Sequence, residues 1–164
     1  MLDSGKEKNA PLMLCHYLNP ASIVIEKEAS SKEEVLNSLI LKLCEVAHLK
    51  DCEAVKKAVW DREKEGRTVL ENGLAIPHAR FSGIHEIKAS LGIIPQAYLD
   101  AQEGVKVKIV FLFLSPQDQF RSHLQMLARI SRIFQDNQFI EKILQASHPE
   151  EAFELLQRKE RSIE

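Results

Sequence analysis

Long hydrophobic runs are missing from this chain. The longest uninterrupted apolar stretch, Ile109 to Leu114, is far short of the roughly 20 residues a bilayer-spanning helix requires. The N-terminal decapeptide MLDSGKEKNA is polar and holds no apolar secretion-signal core. Both absences lead to the expectation of a cytoplasmic protein without membrane insertion. An excess of one charge sign is missing too: 22 Lys and Arg stand against 24 Asp and Glu, a net charge of -2, which argues against nucleic acid as a partner. Cysteine is scarce. Cys15, Cys44 and Cys52 are odd in number and irregularly spaced, which argues against a disulfide framework and predicts free buried thiols in a reducing compartment.

What is present is a globular composition, 45% hydrophobic and 28% charged over 164 residues, enough for one domain with a substantial core. No repeat, linker or low-complexity segment divides it. Residues 1–10 have little apolar content and no periodicity and read as a mobile tail, leaving a domain over 11–158 and a C-terminal tail over 159–164.

Ile23-Val24-Ile25 is a short β-branched run. Ser30 or Ser31 then offers an N-cap with a glutamate three residues on, and Val35, Leu36, Leu39, Ile40, Leu43 and Val46 recur at helical steps. A second helix starts near Asp51 and runs towards Trp60, where the charged stretch Asp61 to Gly66 breaks the pattern and leaves Arg62 near a helix end. Leu74–Ile76, Ala89–Ile94 and Val105–Leu114 read as strands, the last as a central strand covered on both faces. Ser115-Pro116 closes that strand, a helix through Phe120, Leu124, Leu127 and Phe134 follows, and two shorter helices come after it, the final one opened by Ser147-His148-Pro149-Glu150. Strands interleaved with helices predict an α/β fold, a single-domain mixed sheet flanked by helices on both faces, with ligands beyond the carboxyl ends of the strands.

The octet Gly73-Leu74-Ala75-Ile76-Pro77-His78-Ala79-Arg80 is the most informative segment. Pro77 fixes its own φ and biases Ile76 to an extended conformation, so His78 should stand where a short strand opens into a loop. An imidazole there can be a general base, a metal ligand, a phosphoryl acceptor or a structural hydrogen-bonder. His123 lies in an early turn of the helix after Leu114, where backbone N–H groups and the helix dipole favour an anion. Two imidazoles and a helix terminus on one rim suit a phosphoryl group better than a metal.

These residues carry a resemblance. Asp61-Arg62-Glu63, then Thr68, then Leu74-Ala75-Ile76-Pro77-His78, then His123-Leu124 before an apolar helix is similar to the cytoplasmic enzyme IIA component of the bacterial phosphoenolpyruvate-dependent phosphotransferase system, type 2, the mannitol/fructose and nitrogen-regulatory group. The resemblance runs from about Leu14 to about Leu156. It implies the mannitol-type enzyme IIA fold and a phosphotransferase component with a phosphohistidine intermediate and no cofactor or metal. The expected donor is a small histidine phosphocarrier protein, and the expected acceptor is an enzyme IIB or a regulated target. By the same resemblance His78 accepts the phosphoryl group at Nε2, and His123, Arg62 and Thr68 complete the active centre. A nitrogen-regulatory role is the first expectation and a sugar-specific one the alternative. A catalytically silent binding module of the same fold is the third. Between Thr68 and Gly73 the chain reads Val69-Leu70-Glu71-Asn72, where nitrogen-regulatory members often carry two glycines.

Physical chemistry agrees with these roles. Phosphoryl transfer needs positioning and charge compensation, and an arginine fork suits the equatorial oxygens of the moving group. A threonine hydroxyl and a ring N–H can each donate to the same oxygens. Each residue also has a plainer use: Thr68 as a loop or strand residue, Arg62 as a helix-end charge balancing the dipole. Arg80 reads as surface-exposed and stays outside the candidate site. His16, His85 and His148 fall in loop or cap contexts. Cys44, His48 and Cys52 at four-residue steps lack a fourth ligand and a common helical face, so no metal site is expected there.

Overall fold

The apolar run at residues 109–114 becomes the middle of the sheet. In the computed structural model, which describes residues 11–28, 30–66 and 68–163, the order is β1 (Ile23–Ile25), α1 (Lys32–Val46), α2 (Cys52–Glu65), β2 (Leu74–Ala75), β3 (His78–Phe81), β4 (Lys88–Asp100), β5 (Val105–Pro116), α3 (Phe120–Phe134), α4 (Asn137–Ile143) and α5 (Pro149–Ser162). The tail expected over 1–10 lies outside the described residues. β5 pairs antiparallel with β4 on one side and parallel with both β2 and β3 on the other, and β1 joins β4 in parallel. The sheet is therefore mixed, with β5 inside it, and every residue from Ile109 to Pro116 is buried.

Alternation along β5 divides the core. Ile109, Phe111 and Phe113 pack with Met126, Ile130 and Phe134 of α3 and with residues of α4 and α5. Val110, Leu112 and Leu114 pack on the opposite face with Leu36, Leu39 and Leu43 of α1 and with Val55 and Val59 of α2. Helices thus cover both faces, as the patterning predicts.

The caps explain most helix starts. Ser31 Oγ accepts from Glu34 N at 3.2 Å, and Asp51 Oδ1 accepts from Ala54 N at 3.0 Å. At α5 the cap is His148, whose Nδ1 accepts from Glu151 N at 3.2 Å, while Ser147 Oγ donates to the Glu151 carboxylate at 2.8 Å.

Several expectations need correction. The charged stretch after Trp60 does not end α2, which continues to Glu65 with Arg62 in its last turn. Such residues propagate a helix well; Gly66 is what terminates it. The strand expected to end at Ile94 runs to Asp100 across a register shift between Ile93 and Tyr98, where Pro95 is accommodated and Ala97 adopts φ 43°. Residues 159–162 are not a tail: α5 runs through Ser162, and the fully buried Glu160 carboxylate accepts from Leu14 N, Cys15 N and Arg129 Nε at 2.8–2.9 Å. The reading of three free thiols also fails. Cys44 and Cys52 form a disulfide with Cα atoms 5.8 Å apart, tying the end of α1 to the start of α2 across a turn where His48 takes φ 54°; Cys15 is free.

Candidate functional site

Pro77 sits between two short strands that lie along the same neighbour. β2 pairs with Ile109 and Val110, and β3 pairs with Phe113 to Pro116, so the chain steps along β5 across Ile76-Pro77. Pro77 has no N–H to offer, but its carbonyl accepts from Phe113 N at 3.2 Å. His78 is consequently the first residue of a strand, in register with Phe113, and not the start of a loop. The turn before β2 is tight: Gly73 N donates to Leu70 O, and Gly73 adopts φ 92° with Lys106 O only 2.8 Å from where a Cβ would stand. Glycine is required at that position.

The imidazole of His78 is buried, with 7% of its surface exposed, and stacks on Phe113 with ring centroids 5.3 Å apart and planes 12° apart. Its Nδ1 lies 2.6 Å from Ile76 O. A carbonyl can only accept, so Nδ1 carries the proton and the neutral ring keeps its lone pair on Nε2. Burial pushes the pKa of His78 below the ordinary histidine value, reinforced by the Arg62 charge and opposed by the Ile76 carbonyl and Glu63.

His123, in the first turns of α3, is buried to the same degree and lies 5.2 Å from both the His78 and Phe113 rings. Its Nδ1 is 2.5 Å from Ser115 Oγ at the end of β5. Burial, then His78, Arg80 and Arg62, push its pKa down to about 4. The structure thus brings His78 and His123 into contact and Arg62 close enough to bias both. Among the described residues the Arg62 guanidinium has no hydrogen-bond or ion-pair partner, so its fork is available.

Thr68 is placed differently from the other three. Its hydroxyl donates to Glu63 Oε1 at 2.6 Å, and its carbonyl accepts from Ile76 N at 2.7 Å. Its only hydroxyl proton faces α2. Arg80, left out by sequence reasoning, reaches the rim of the site: its Nη2 donates to Gln117 O, and its guanidinium lies 5.5 Å over the Phe120 ring. Phe113, Ser115 and Glu63 were missed as well. Ser115 had a signal as a polar residue ending an apolar strand, and Glu63 stood in the Asp61-Arg62-Glu63 run that carries the resemblance.

The arrangement offers a neutral nucleophilic nitrogen, a second neutral imidazole, an arginine fork unpaired among the described residues and a dry aromatic platform. These are parts from which transfer of an anionic group to nitrogen can be built.

Comparison with known proteins gives the family. The model of the family described as "Phosphoenolpyruvate-dependent sugar phosphotransferase system, EIIA 2" matches residues 16–159, and the chain belongs to that family. A nitrogen regulatory protein of Bradyrhizobium diazoefficiens is 32% identical over 134 residues, 81% of this chain and 86% of that protein. The crystal structure of the nitrogen regulatory protein IIA-Ntr from Neisseria meningitidis superposes with a TM-score of 0.78 at 27% identity, covering 87% of this chain and 98% of that one. The enzyme IIA of the Escherichia coli mannitol system, solved in complex with phosphorylated enzyme IIB, shares the fold with a TM-score of 0.69 at 18% identity over 86% of this chain and 97% of that one. Among the described residues no helix is long and apolar enough to cross a membrane.

Proposed function

We propose that this chain is a cytoplasmic phosphoryl carrier that accepts a phosphoryl group on Nε2 of His78 from a histidine phosphocarrier protein. The observation that carries the reading is the bond between His78 Nδ1 and Ile76 O, which leaves the Nε2 lone pair as the nucleophile. In the transfer the donor's N–P bond breaks as the bond from Nε2 to phosphorus forms, and the electron pair of the breaking bond returns to the donor imidazole. Arg62 compensates the equatorial charge, and the His123 ring stands beside His78 to donate a hydrogen bond to the same oxygens. Thr68 completes the centre through the Ile76 peptide that its carbonyl holds, while its hydroxyl stays on Glu63.

The output we assign is regulatory, since a nitrogen regulatory protein is a relative at 32% identity and a second of that name shares the fold at 27%. A regulator of this kind binds a target with different affinities in its two phosphorylation states. The alternative, delivery to a sugar-specific enzyme IIB, is favoured by the family's description and by the complex formed by the mannitol homologue.

The test incubates the protein with phosphoenolpyruvate, enzyme I and the phosphocarrier and measures intact mass. One acid-labile, base-stable phosphate is expected, absent from His78→Ala. A full adduct on that variant would overturn the assignment. Pull-downs with phosphorylated and unphosphorylated protein separate the two outputs: efficient transfer to a sugar-specific enzyme IIB, with no state-dependent target recovered, would leave sugar uptake as the function.

A further inference from the structure

Glu63 is a carboxylate in an unfavourable place. It lies in the last turn of α2, where the helix dipole disfavours an anion, and its side chain is only 5% exposed. Burying a charge is costly unless it is paired and hydrogen-bonded. Glu63 has both kinds of partner. Lys32 Nζ of α1 lies 3.1 Å from Oε2 and also 3.5 Å from the buried Asp100 at the end of β4, and Thr68 Oγ1 donates to Oε1 at 2.6 Å. Lys32 thus balances two buried carboxylates, and among the described residues Thr68 is the neutral group that the cluster holds through its side chain.

From Thr68 the bonding continues to the imidazole. Ile76 N donates to Thr68 O at 2.7 Å, and the carbonyl of the same Ile76 receives the Nδ1 proton of His78 at 2.6 Å. We propose that Glu63 is a positioning residue for His78: by gripping Thr68 it fixes the peptide that sets the orientation and tautomer of the ring. The proposal rests on the phosphoryl-carrier reading for its effect on rate, but not for its effect on the ring.

The electrostatics point the same way. The charged and titratable groups bearing on His78 are Arg62 and Glu63 from α2 and His123 from α3, with the uncharged Phe113 ring of β5 beneath. Burial and Arg62 make the ring less basic, and Glu63 is the acidic side chain that opposes them. A nucleophilic nitrogen loses reactivity as its basicity falls, so burial keeps His78 neutral while the Glu63 charge offsets part of the lost basicity. Glu63 touches neither the ring nor the reacting atoms. Its effect passes through Thr68, Ile76 and the local field.

The test of the ring itself needs no donor. Imidazole ¹H–¹⁵N spectra of the full chain report the tautomer and titration of His78 in the wild type, Glu63→Gln, Glu63→Ala and Thr68→Val. Glu63→Gln retains an acceptor for the Thr68 hydroxyl, so the Nδ1–H tautomer should persist while the ring titrates at lower pH. Glu63→Ala should lose the tautomer preference as well, and its phosphorylation should slow by about 10- to 100-fold, the scale seen when the outer partner that fixes the tautomer of a metal-binding histidine is lost. Thr68→Val keeps the charge but cuts the link, so it should loosen the tautomer even if Glu63→Ala does not fold. An unchanged His78 tautomer and titration in the folded variants would overturn the proposal. Absence of phosphate on wild-type His78 would instead defeat the carrier reading and leave the spectra to decide the role of Glu63.

Discussion

The imidazoles of His78 and His123 meet edge to face, 5.2 Å between centroids and 63° between planes, and both are shielded from water. Burial removes the solvent that stabilises a charge on either ring, and at His123 the neighbouring His78 adds to the effect. Both pKa values are therefore depressed, that of His123 from 6.5 to about 4. Below the ordinary value the unfolded chain binds more protons than the folded one, so stability is full above pH 6.5 and is lost as the pH falls through the window down to about 4. Urea denaturation should show a lower midpoint at about pH 4.5 than at about pH 7. The dependence should weaken in His123→Gln. A His123 ring titrating at the ordinary value in NMR would contradict this account.

Removing His123 or Arg62 should slow phosphorylation without relocating it. Each is placed to offer charge or hydrogen bonds beside His78, and losing one such transition-state donor costs roughly 10²-fold or more in rate. Folded His123→Ala and Arg62→Ala proteins should still acquire a slow adduct on His78. Rates equal to wild type would reduce both residues to a structural role.

Much of this was readable beforehand, and what escaped has a common cause. The buried run of β5, the caps at Ser31 and Asp51 and the pairing of His78 with His123 across one rim all follow from local patterns and the order of elements. Strand β3 escaped because its partner is β5, distant in sequence, and His78-Ala79-Arg80-Phe81 has no alternation that survives the change from buried to exposed along it. Glu63 escaped because a glutamate at a helix end is usually solvated. Only the approach of Lys32 and Thr68 from other segments makes its burial tolerable. Cys44 and Cys52 escaped because a single local pair leaves no framework spacing to read.

The apolar residues that flank His78 in the chain do not form a surface patch around it. Leu74, Ala75, Ile76 and Ala79, which flank His78 in the chain, are at most 5% exposed and face the core. The apolar surface beside the site is instead Phe120 and Leu124 on α3, 57% and 50% exposed, with Arg80 laid over the Phe120 ring. Phe120→Ala and Leu124→Ala should leave stability within about 0.5 kcal/mol of wild type, as exposed substitutions do. Both should weaken the transient association with the phosphocarrier. Chemical-shift mapping should perturb α3's first turns and β3. Perturbations confined to α1 and the far end of the sheet would refute this placement.

The Cys44–Cys52 bond should stabilise the fold without serving the site. It closes a loop of sequence separation 8, and in the chain-entropy account a loop of that size is worth about 2.5 kcal/mol. The end of α2 that bears Arg62 and Glu63 does not depend on it, because Val55 and Val59 anchor the helix with no exposed surface. Urea denaturation of the wild type should lose about that much stability on adding reductant. The Cys44→Ala/Cys52→Ala double variant should be insensitive to it, and phosphorylation rates should agree across all three preparations. A thiol titration finding all three cysteines free in the untreated folded protein, with a midpoint unmoved by reductant, would show that the pair does not form.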